Sequence, residues 1–188
     1  MKTKSLLGVF LLSLYLFSFT SCNDDEPKFS SSQIQQALFD MKGTYHGTVK
    51  VVYYHGDNIT ELGNAVVVSR DSLSFTMSLR PMADVIKDES TARLLREISE
   101  VTVTAGYDFS QMDESTINFG LRPKDVIVPG GYGAPPTVRI VFAQNFGGDA
   151  EIGQNFMMFN VSPTELWLNG EKYEDFKQLV YHFSGHYE

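Results

Sequence analysis

The histidines near the end of the chain are the first residues whose spacing suggests chemistry. His182 and His186 are four apart, which on a helix would place both rings on one face. Apolar and polar residues alternate from 179 to 187, however, and this pattern predicts a strand. At about 3.3 Å per residue the two rings would lie ~13 Å apart, too far to share one metal ion. With His46 they are expected on a polar outer face, so no metal site is predicted.

The glycine-rich segment 129–136 is the stretch closest in composition to a phosphate-binding loop. No Lys-Ser or Lys-Thr pair follows it and no helix begins there, so a plain loop is the better interpretation. The sequence also lacks a Gly-x-Ser-x-Gly elbow, a His-Glu-x-x-His pair and a carboxylate-rich loop with Ca²⁺-binding spacing. We therefore expect a non-catalytic protein without a cofactor; an enzyme assembling its site from distant residues ranks third among the function classes.

Cys22 is the only cysteine of the chain, which excludes an intramolecular disulfide and a zinc site with several Cys ligands. It follows an apolar-to-small run, residues 6–19, preceded by Lys2 and Lys4. That run is too short to span a bilayer of about 30 Å, which needs ~20 helical residues. Its length is typical of the apolar core of a signal peptide. A secretory signal in which Cys22 is incidental is the alternative.

The segment Phe19-Thr20-Ser21-Cys22 resembles the lipobox of bacterial lipoproteins, although that family more often has Leu where this chain has Phe19. The resemblance implies cleavage after residues 1–21, the signal peptide, and acylation of Cys22 by chains such as palmitate. Each buried methylene contributes about 0.8 kcal/mol, and two or three chains anchor a protein firmly. We expect membrane attachment through lipidated Cys22.

An acidic run, Asn23-Asp24-Asp25-Glu26, begins the polar tether predicted over residues 22–32. As a solvated linker it would keep the domain off the membrane. The run also resembles the acidic segment behind the lipidated cysteine in surface-exposed lipoproteins of the Bacteroidetes. That resemblance implies display on the outer leaflet of the outer membrane, with the periplasmic face as the alternative.

The net charge argues against one class of partner. The whole chain carries a formal charge of −8, and removing Lys2 and Lys4 leaves 13 basic against 23 acidic residues. Such a domain repels a phosphate backbone, so nucleic acid is not an expected partner.

Residues 33–188 are predicted to form a single, mostly β domain. Fourteen Phe and nine Tyr favour strands, and about nine alternating segments are joined by short turns. A short helix is expected to run through Met41 and another over residues 87–99, where the apolar period becomes helical. We predict an antiparallel up-and-down β-barrel with one or two short helices, and a β-sandwich as the alternative. Pairing of residues 43–49 with 181–187 would close the barrel.

The first strand carries a resemblance of its own. Gly43-Thr44-Tyr45-x-Gly47-Thr48-Val49-x-Val51 resembles the opening strand of calycin-like, that is lipocalin-like, domains of unknown function in Bacteroidetes lipoproteins. Tyr45 stands where lipocalins have Trp, and no Arg follows Arg139 to stack on it. The resemblance therefore implies the barrel architecture rather than lipocalin function.

The inward face of the predicted barrel is the candidate ligand site. Gly47 and Gly185 on the closing strands are expected to leave room beside Tyr45, and an eight-stranded interior is either just filled or able to hold one small ligand. The function predicted first is thus binding of a small apolar or amphipathic ligand. The inward set comprises Tyr45, Val49, Tyr53, Phe75, Met77, Phe119, Phe142 and Met158.

The outer surface offers the alternative function, that of an accessory subunit or adhesin binding a protein, such as an outer-membrane partner, or a glycan. A cavity of several hundred Å³ inside the barrel would favour the first function, and a filled core would favour the second. Asp71-Ser72-Leu73 also resembles the short O-glycosylation acceptor of the Bacteroidetes, which makes Ser72 a candidate modification site. An ordinary turn residue is the other interpretation of Ser72.

Overall fold

The structure is a computed structural model that describes residues 28–53, 59–130 and 136–187. Contacts divide the chain into a short N-terminal unit ending at Ser31 and a unit from Ser32 to Glu188 that contains all the described strands. Cys22 and the acidic run lie outside the described residues, as does most of the glycine-rich loop. No helix within those ranges is long and apolar enough to cross a membrane.

Across the described ranges the chain forms twelve strands and three α-helices. The strands are β1 Gly43–Tyr53, β2 Ile59–Ser69, β3 Leu73–Ser78, β4 Glu100–Met112, β5 Thr116–Pro123, β6 Val126–Val128, β7 Val138–Phe142, β8 Phe146–Glu151, β9 Phe156–Val161, β10 Pro163–Leu168, β11 Glu171–Lys172 and β12 Leu179–Tyr187. The helices are α1 Ser31–Asp40, α2 Arg80–Asp84 and α3 Glu89–Ile98, and a 3₁₀ turn covers Ile152–Gln154.

Eight of these strands close an antiparallel barrel in the order β1-β12-β9-β8-β5-β4-β3-β2. Each barrel strand lies beside the next barrel strand along the chain, so the predicted up-and-down barrel is confirmed and the sandwich alternative is not adopted. Closure comes from the first and last strands, with Tyr45 opposite Tyr187 and Tyr53 opposite Leu179. Because β1 and β12 pair with each other, neither is left with the open edge that it would have in a flat sheet.

Gly47 and Gly185 lie directly opposite each other in the closing ladder. A Cβ on Gly47 would stand 2.0 Å from the Ser184 carbonyl oxygen and 2.5 Å from Gly185 Cα. The expectation that these glycines leave room beside Tyr45 is therefore wrong, since the two backbones themselves occupy the space. Tyr45 is buried and donates its hydroxyl hydrogen to the Met41 carbonyl at 3.0 Å.

A second sheet, in the order β11-β10-β7-β6, interrupts the barrel meander twice. Its tight hairpin between β10 and β11 has Asn169 at φ 50° and Gly170 at φ 85°, the two left-handed positions that an Asn-Gly turn supplies. Phe142 belongs to β7 of this sheet, where it pairs with Pro163. It is buried, but its predicted place in the barrel wall is wrong, because alternation alone does not tell which sheet a strand joins.

The barrel interior is filled by aromatic and aliphatic side chains. Phe75 of β3 meets Phe159 of β9 across the barrel with ring centroids 5.5 Å apart, and Phe159 stacks on Phe183 at 5.0 Å. Tyr107 and Phe119 meet edge to face at 5.2 Å. All five rings are buried. An eight-stranded barrel is just wide enough to be filled in this way.

Helix α1 precedes β1, and helices α2 and α3 both lie between β3 and β4. The predicted helix over residues 87–99 is confirmed as α3, and the Asp88 carboxylate caps it by accepting the Thr91 amide at 2.7 Å. Helix α2 was not predicted. Pro81 lies in its first turn, where the fixed φ and missing N–H of proline are well tolerated.

Candidate functional site

A groove of about 470 Å³ crosses the outer wall of the barrel. We call it the outer groove, and it spans strands β1, β12, β9, β8, β5 and the adjoining end of β4. Three buried rings, Phe119, Phe159 and Phe183, lie beneath it. Its polar lining consists of Lys50, Ser110, Asn118, Asp149, Asn160, His182 and Ser184.

Glycines create the hollow at the centre of the outer groove. Gly147 of β8 pairs with Gly120 of β5, and a Cβ built on Gly147 would meet nothing within 4 Å. Gly120 is covered by Asn145, whose Cα would lie 3.3 Å from an added Cβ. A strand interior that lacks side chains often marks a site of close backbone approach. Here it leaves open space at Gly147 beside the side chain of Asn160.

His182 and Asn160 form an oriented pair at one side of this hollow. Asn160 donates from Nδ2 to the Gly147 carbonyl at 3.2 Å, which leaves its Oδ1 to face His182 Nδ1. An amide oxygen only accepts, so the neutral imidazole carries its hydrogen on Nδ1 and Nε2 remains an acceptor. Burial lowers the pKa of His182, which favours this neutral form.

Strand register sets the order of the charged and polar groups. Lys50 lies opposite His182, which lies opposite Asn160, so one row crosses β1, β12 and β9. The neighbouring row runs from Ser184 through Met158 and Asp149 to Asn118. The outer groove thus combines one ammonium and one carboxylate with amides and hydroxyls, and it carries little net charge.

Asn118 contributes an unusual acceptor. Its Oδ1 is shielded from solvent and accepts no hydrogen bond from the described residues. A buried acceptor without a donor costs about 1–3 kcal/mol. A ligand hydrogen-bond donor that drew this amide toward the groove would remove that cost.

Within the described ranges, no group of three His, Cys, Asp or Glu side chains could hold a metal ion. His46, His182 and His186 are all exposed on the outer face, as predicted. His46 and His186 are paired across β1 and β12, and the His186 ring lies 5.0 Å from that of Phe156.

A second recess, of about 330 Å³, lies where β2 separates from β3. We call it the seam. Val49, Phe75, Met77 and Tyr181, all buried and inward-facing, form its floor. Tyr181 donates its hydroxyl hydrogen to the Ser78 carbonyl at 2.8 Å, and burial raises the pKa of Tyr181 well above its ordinary value. The seam therefore combines an apolar floor with exposed strand backbone at its rim.

The candidate residues of the inward set are dispersed. Phe75 and Met77 reach the seam, and Phe119 lies beneath the outer groove. Tyr45 is in the packed core. Tyr53 is half-buried at the end of β1, with its hydroxyl 3.3 Å from that of Thr60.

Met158 was predicted on the wrong face. Its side chain is 42% exposed and lines the outer groove, whereas Met157 is fully buried. Residues 156–159 are apolar at every position, so the alternation that fixes a strand's orientation is absent there. Gly148 on the neighbouring strand determines which face of β9 points inward. A Cβ on Gly148 would come within 2.6 Å of Phe119 and 2.7 Å of Phe159. Only glycine leaves space for Phe159, the residue opposite it, to face inward.

Ser72, the candidate glycosylation site, is half-buried in the bend between β2 and β3, and its carbonyl accepts the Arg70 amide at 3.1 Å. The polar residues of the outer groove were not predicted from sequence. The segment Gly147-Gly148-Asp149 lies inside β8. Adjacent glycines within a strand were the available signal of a hollow.

Fold and groove together define a class, a small closed antiparallel barrel of lipocalin-like architecture with a filled interior. Comparison of the chain with protein-family models, curated proteins and solved structures finds no match.

Proposed function

We propose that this chain is a lipid-anchored, non-catalytic binding module that holds its ligand in the outer groove. One contrast carries the proposal. The interior is packed with side chains, while the outer wall has a polar recess of about 470 Å³. The small apolar ligand inside the barrel that was expected from sequence is not part of the proposal, because the packed rings occupy that space.

The composition of the outer groove favours a neutral, hydroxyl-rich ligand such as a glycan. Its acceptors include His182 Nε2 and the Asp149 carboxylate, and its donors include Lys50 and the Ser184 hydroxyl. Closely spaced donors and acceptors suit a sugar, whose hydroxyls both donate and accept. The groove volume of about 470 Å³ lies within the ~300–1,000 Å³ range of small-molecule sites. A stable protein–protein interface instead buries about 800 Å² of surface on each partner.

Attachment is proposed on the sequence alone. Lipidated Cys22 would anchor the domain, and Asp24, Asp25 and Glu26 would direct it to the outer surface of the outer membrane. If so, Cys22→Ala should leave the detergent phase in which the parent partitions. Changing the three acidic residues to Ala should protect the protein from protease added to intact cells. Unchanged partitioning, or equal proteolysis, would contradict the respective part.

Ligand binding can be tested by filling the hollow without disturbing the fold. The purified chain would be screened on a glycan array, and the strongest glycan titrated by calorimetry against the parent and Gly147→Leu. Because a Cβ on Gly147 meets no atom within 4 Å, the variant should fold normally. Its leucine side chain would occupy the groove, and we expect at least a tenfold loss of affinity, about 1.4 kcal/mol.

Gly106→Leu is the matched control. Gly106 on β4 also has open space at its Cβ position and is not among the residues lining the outer groove. The Gly106→Leu variant should therefore bind the glycan with the same affinity as the parent. A glycan bound equally by parent and Gly147→Leu would place the site elsewhere. Absence of saturable binding across the array in a folded sample would sink the proposed ligand class.

A further inference from the structure

The pairing of β2 with β3 stops early. Among the described residues, only 67–69 of β2 pair with 73–75 of β3, although β2 begins at Ile59 and β3 continues to Ser78. On this side, residues 59–66 and 76–78 therefore have no strand partner. Such an edge presents a row of backbone N–H and C=O groups that another chain can pair with.

A bulge explains why β2 leaves β3. On the β1 side, Gly47 pairs with Ala65 but Val49 pairs with Leu62, so two residues, Gly63 and Asn64, stand opposite one. Asn64 takes a left-handed φ of 57°. Extra residues of this kind bend a strand and increase its twist. The bend separates the two edges and opens the seam.

Three features of the seam point to what could occupy it. Tyr181 reaches across the barrel to donate to the Ser78 carbonyl, a bond that compensates in part for the missing strand. The floor, with Phe75 and Met77, is apolar and suits a single inserted side chain. Glu100 lies at the rim, so a basic group beside that side chain would find an opposite charge.

We propose that the seam binds an extended peptide by strand addition along the free edge of β2. Its backbone pairs with alternate residues of 59–66, one apolar side chain rests on the floor, and a flanking Lys or Arg faces Glu100. Affinity in this mode comes from backbone hydrogen bonds, and specificity from the pocket for alternate side chains. A small amphipathic molecule could cover the floor but would leave most of the row of backbone groups unpaired, so the edge favours a peptide.

The test uses the full chain and a fluorescent peptide, Lys-Val-Thr-Leu-Thr-Val-Lys, followed by anisotropy. We expect saturable binding and slower hydrogen exchange at backbone amides of residues 61–66. Two matched peptides are then compared, each N-methylated on the alternate amides of one of its two edges, and their affinities should differ. The peptide blocked on its pairing edge should bind about tenfold more weakly, the effect of one or two lost hydrogen bonds.

Protein variants locate the site. Gly63 lines the seam, and a Cβ there meets no atom within 4 Å, so Gly63→Leu should block the recess without preventing folding and weaken binding about tenfold. Gly106→Leu, equally unhindered but away from the seam, should bind like the parent. Glu100→Gln should reduce binding of the Lys-flanked peptide and leave a Ser-flanked peptide unaffected. Gly147→Leu should have no effect, which separates this proposal from the one for the outer groove.

Three results would overturn the proposal. One is the absence of saturable binding by any member of a position-scanned panel of alternating peptides while the chain is folded by circular dichroism. The second is binding that N-methylation of either edge leaves unchanged. The third is saturable binding of a fluorescent fatty acid, lost in Gly63→Leu and Met77→Trp, with no peptide binding; this would assign the seam to a small amphipathic ligand instead.

Discussion

His182 donates its Nδ1 hydrogen to the side-chain oxygen of Asn160, and this contact determines which ring nitrogen remains an acceptor. The two residues are direct partners on β12 and β9. Asn160 is held in turn by its hydrogen bond to the Gly147 carbonyl. The orientation of the imidazole is thus set by the same glycine that opens the outer groove.

The pH dependence of stability should report this arrangement. Burial lowers the pKa of His182 in the folded chain, so the unfolded state takes up the proton first as the pH falls. The free energy of unfolding should therefore decrease below about pH 6.5, the ordinary histidine value, until the pH is below the folded pKa. The effect should be small, because the ring is largely exposed.

Urea unfolding of the parent and His182→Gln, on both sides of that pH, measures the effect. The His182→Gln variant should lack the part of the decrease in the free energy of unfolding that comes from protonation of His182. The His46→Gln variant, changed on the same outer face, should still show that part of the decrease. An NMR titration that placed the His182 midpoint above the ordinary histidine value would contradict the expectation.

The orientation of β9 can be tested with two adjacent methionines. Met157 is fully buried and Met158 is 42% exposed. We expect Met157→Ala to lower the free energy of unfolding by about 2–5 kcal/mol through loss of burial and creation of a cavity. Met158→Ala should change it by roughly 0.5 kcal/mol or less. Chemical denaturation of the two variants checks this, and similar losses would mean that the strand is differently oriented.

Much of the fold was predictable because its causes are local. The alternation in β3 and β4 is clear, and the Asn169-Gly170 turn takes the backbone that its residues favour. The helical period over residues 87–99 likewise predicts α3, which Asp88 caps. Pairing of the first and last strands was also predicted, since closure removes two edges. The first three features depend on residues close together in the sequence, and the last depends on one requirement of the whole sheet, that its two end strands pair.

The candidate site was less predictable because its causes are not local. Phe142 alternates like a barrel residue yet lies in the second sheet, and only long-range pairing with Pro163 shows this. Met158 faces outward because Gly148 on another strand makes room for Phe159. The outer groove collects residues from strands far apart in sequence, each of which alone looks like an ordinary exposed polar position.

A buried hydrogen bond inside the barrel offers a double-mutant test. Ser69 and Tyr107 are both buried, and their hydroxyl oxygens lie 2.7 Å apart. Ser69→Ala should lower the free energy of unfolding by about 1–3 kcal/mol, because the Tyr107 hydroxyl is left without its partner. Adding Tyr107→Phe should recover part of that loss, as no polar group then remains unpaired. A double variant less stable than Ser69→Ala would show that this bond is not the main contribution.

The close approach of the first and last strands should make Gly47 intolerant of a side chain. A Cβ there would stand 2.0 Å from the Ser184 carbonyl oxygen, so the strands would have to separate. We expect Gly47→Ala to cost about 1–3 kcal/mol or more by thermal or chemical unfolding. Gly106→Ala, with open space at the same atom, is the control and should be near neutral. A Gly47→Ala variant as stable as the control would contradict this packing.

Closure of the barrel by β1 and β12 also bears on how the domain folds. These strands stand at opposite ends of its sequence, so the ladder between them has a very high contact order and is expected to form slowly. Until β12 is in place, β1 and β9 each expose an edge to other chains. Pairing of β12 with both neighbours therefore converts an aggregation-prone open sheet into a closed barrel.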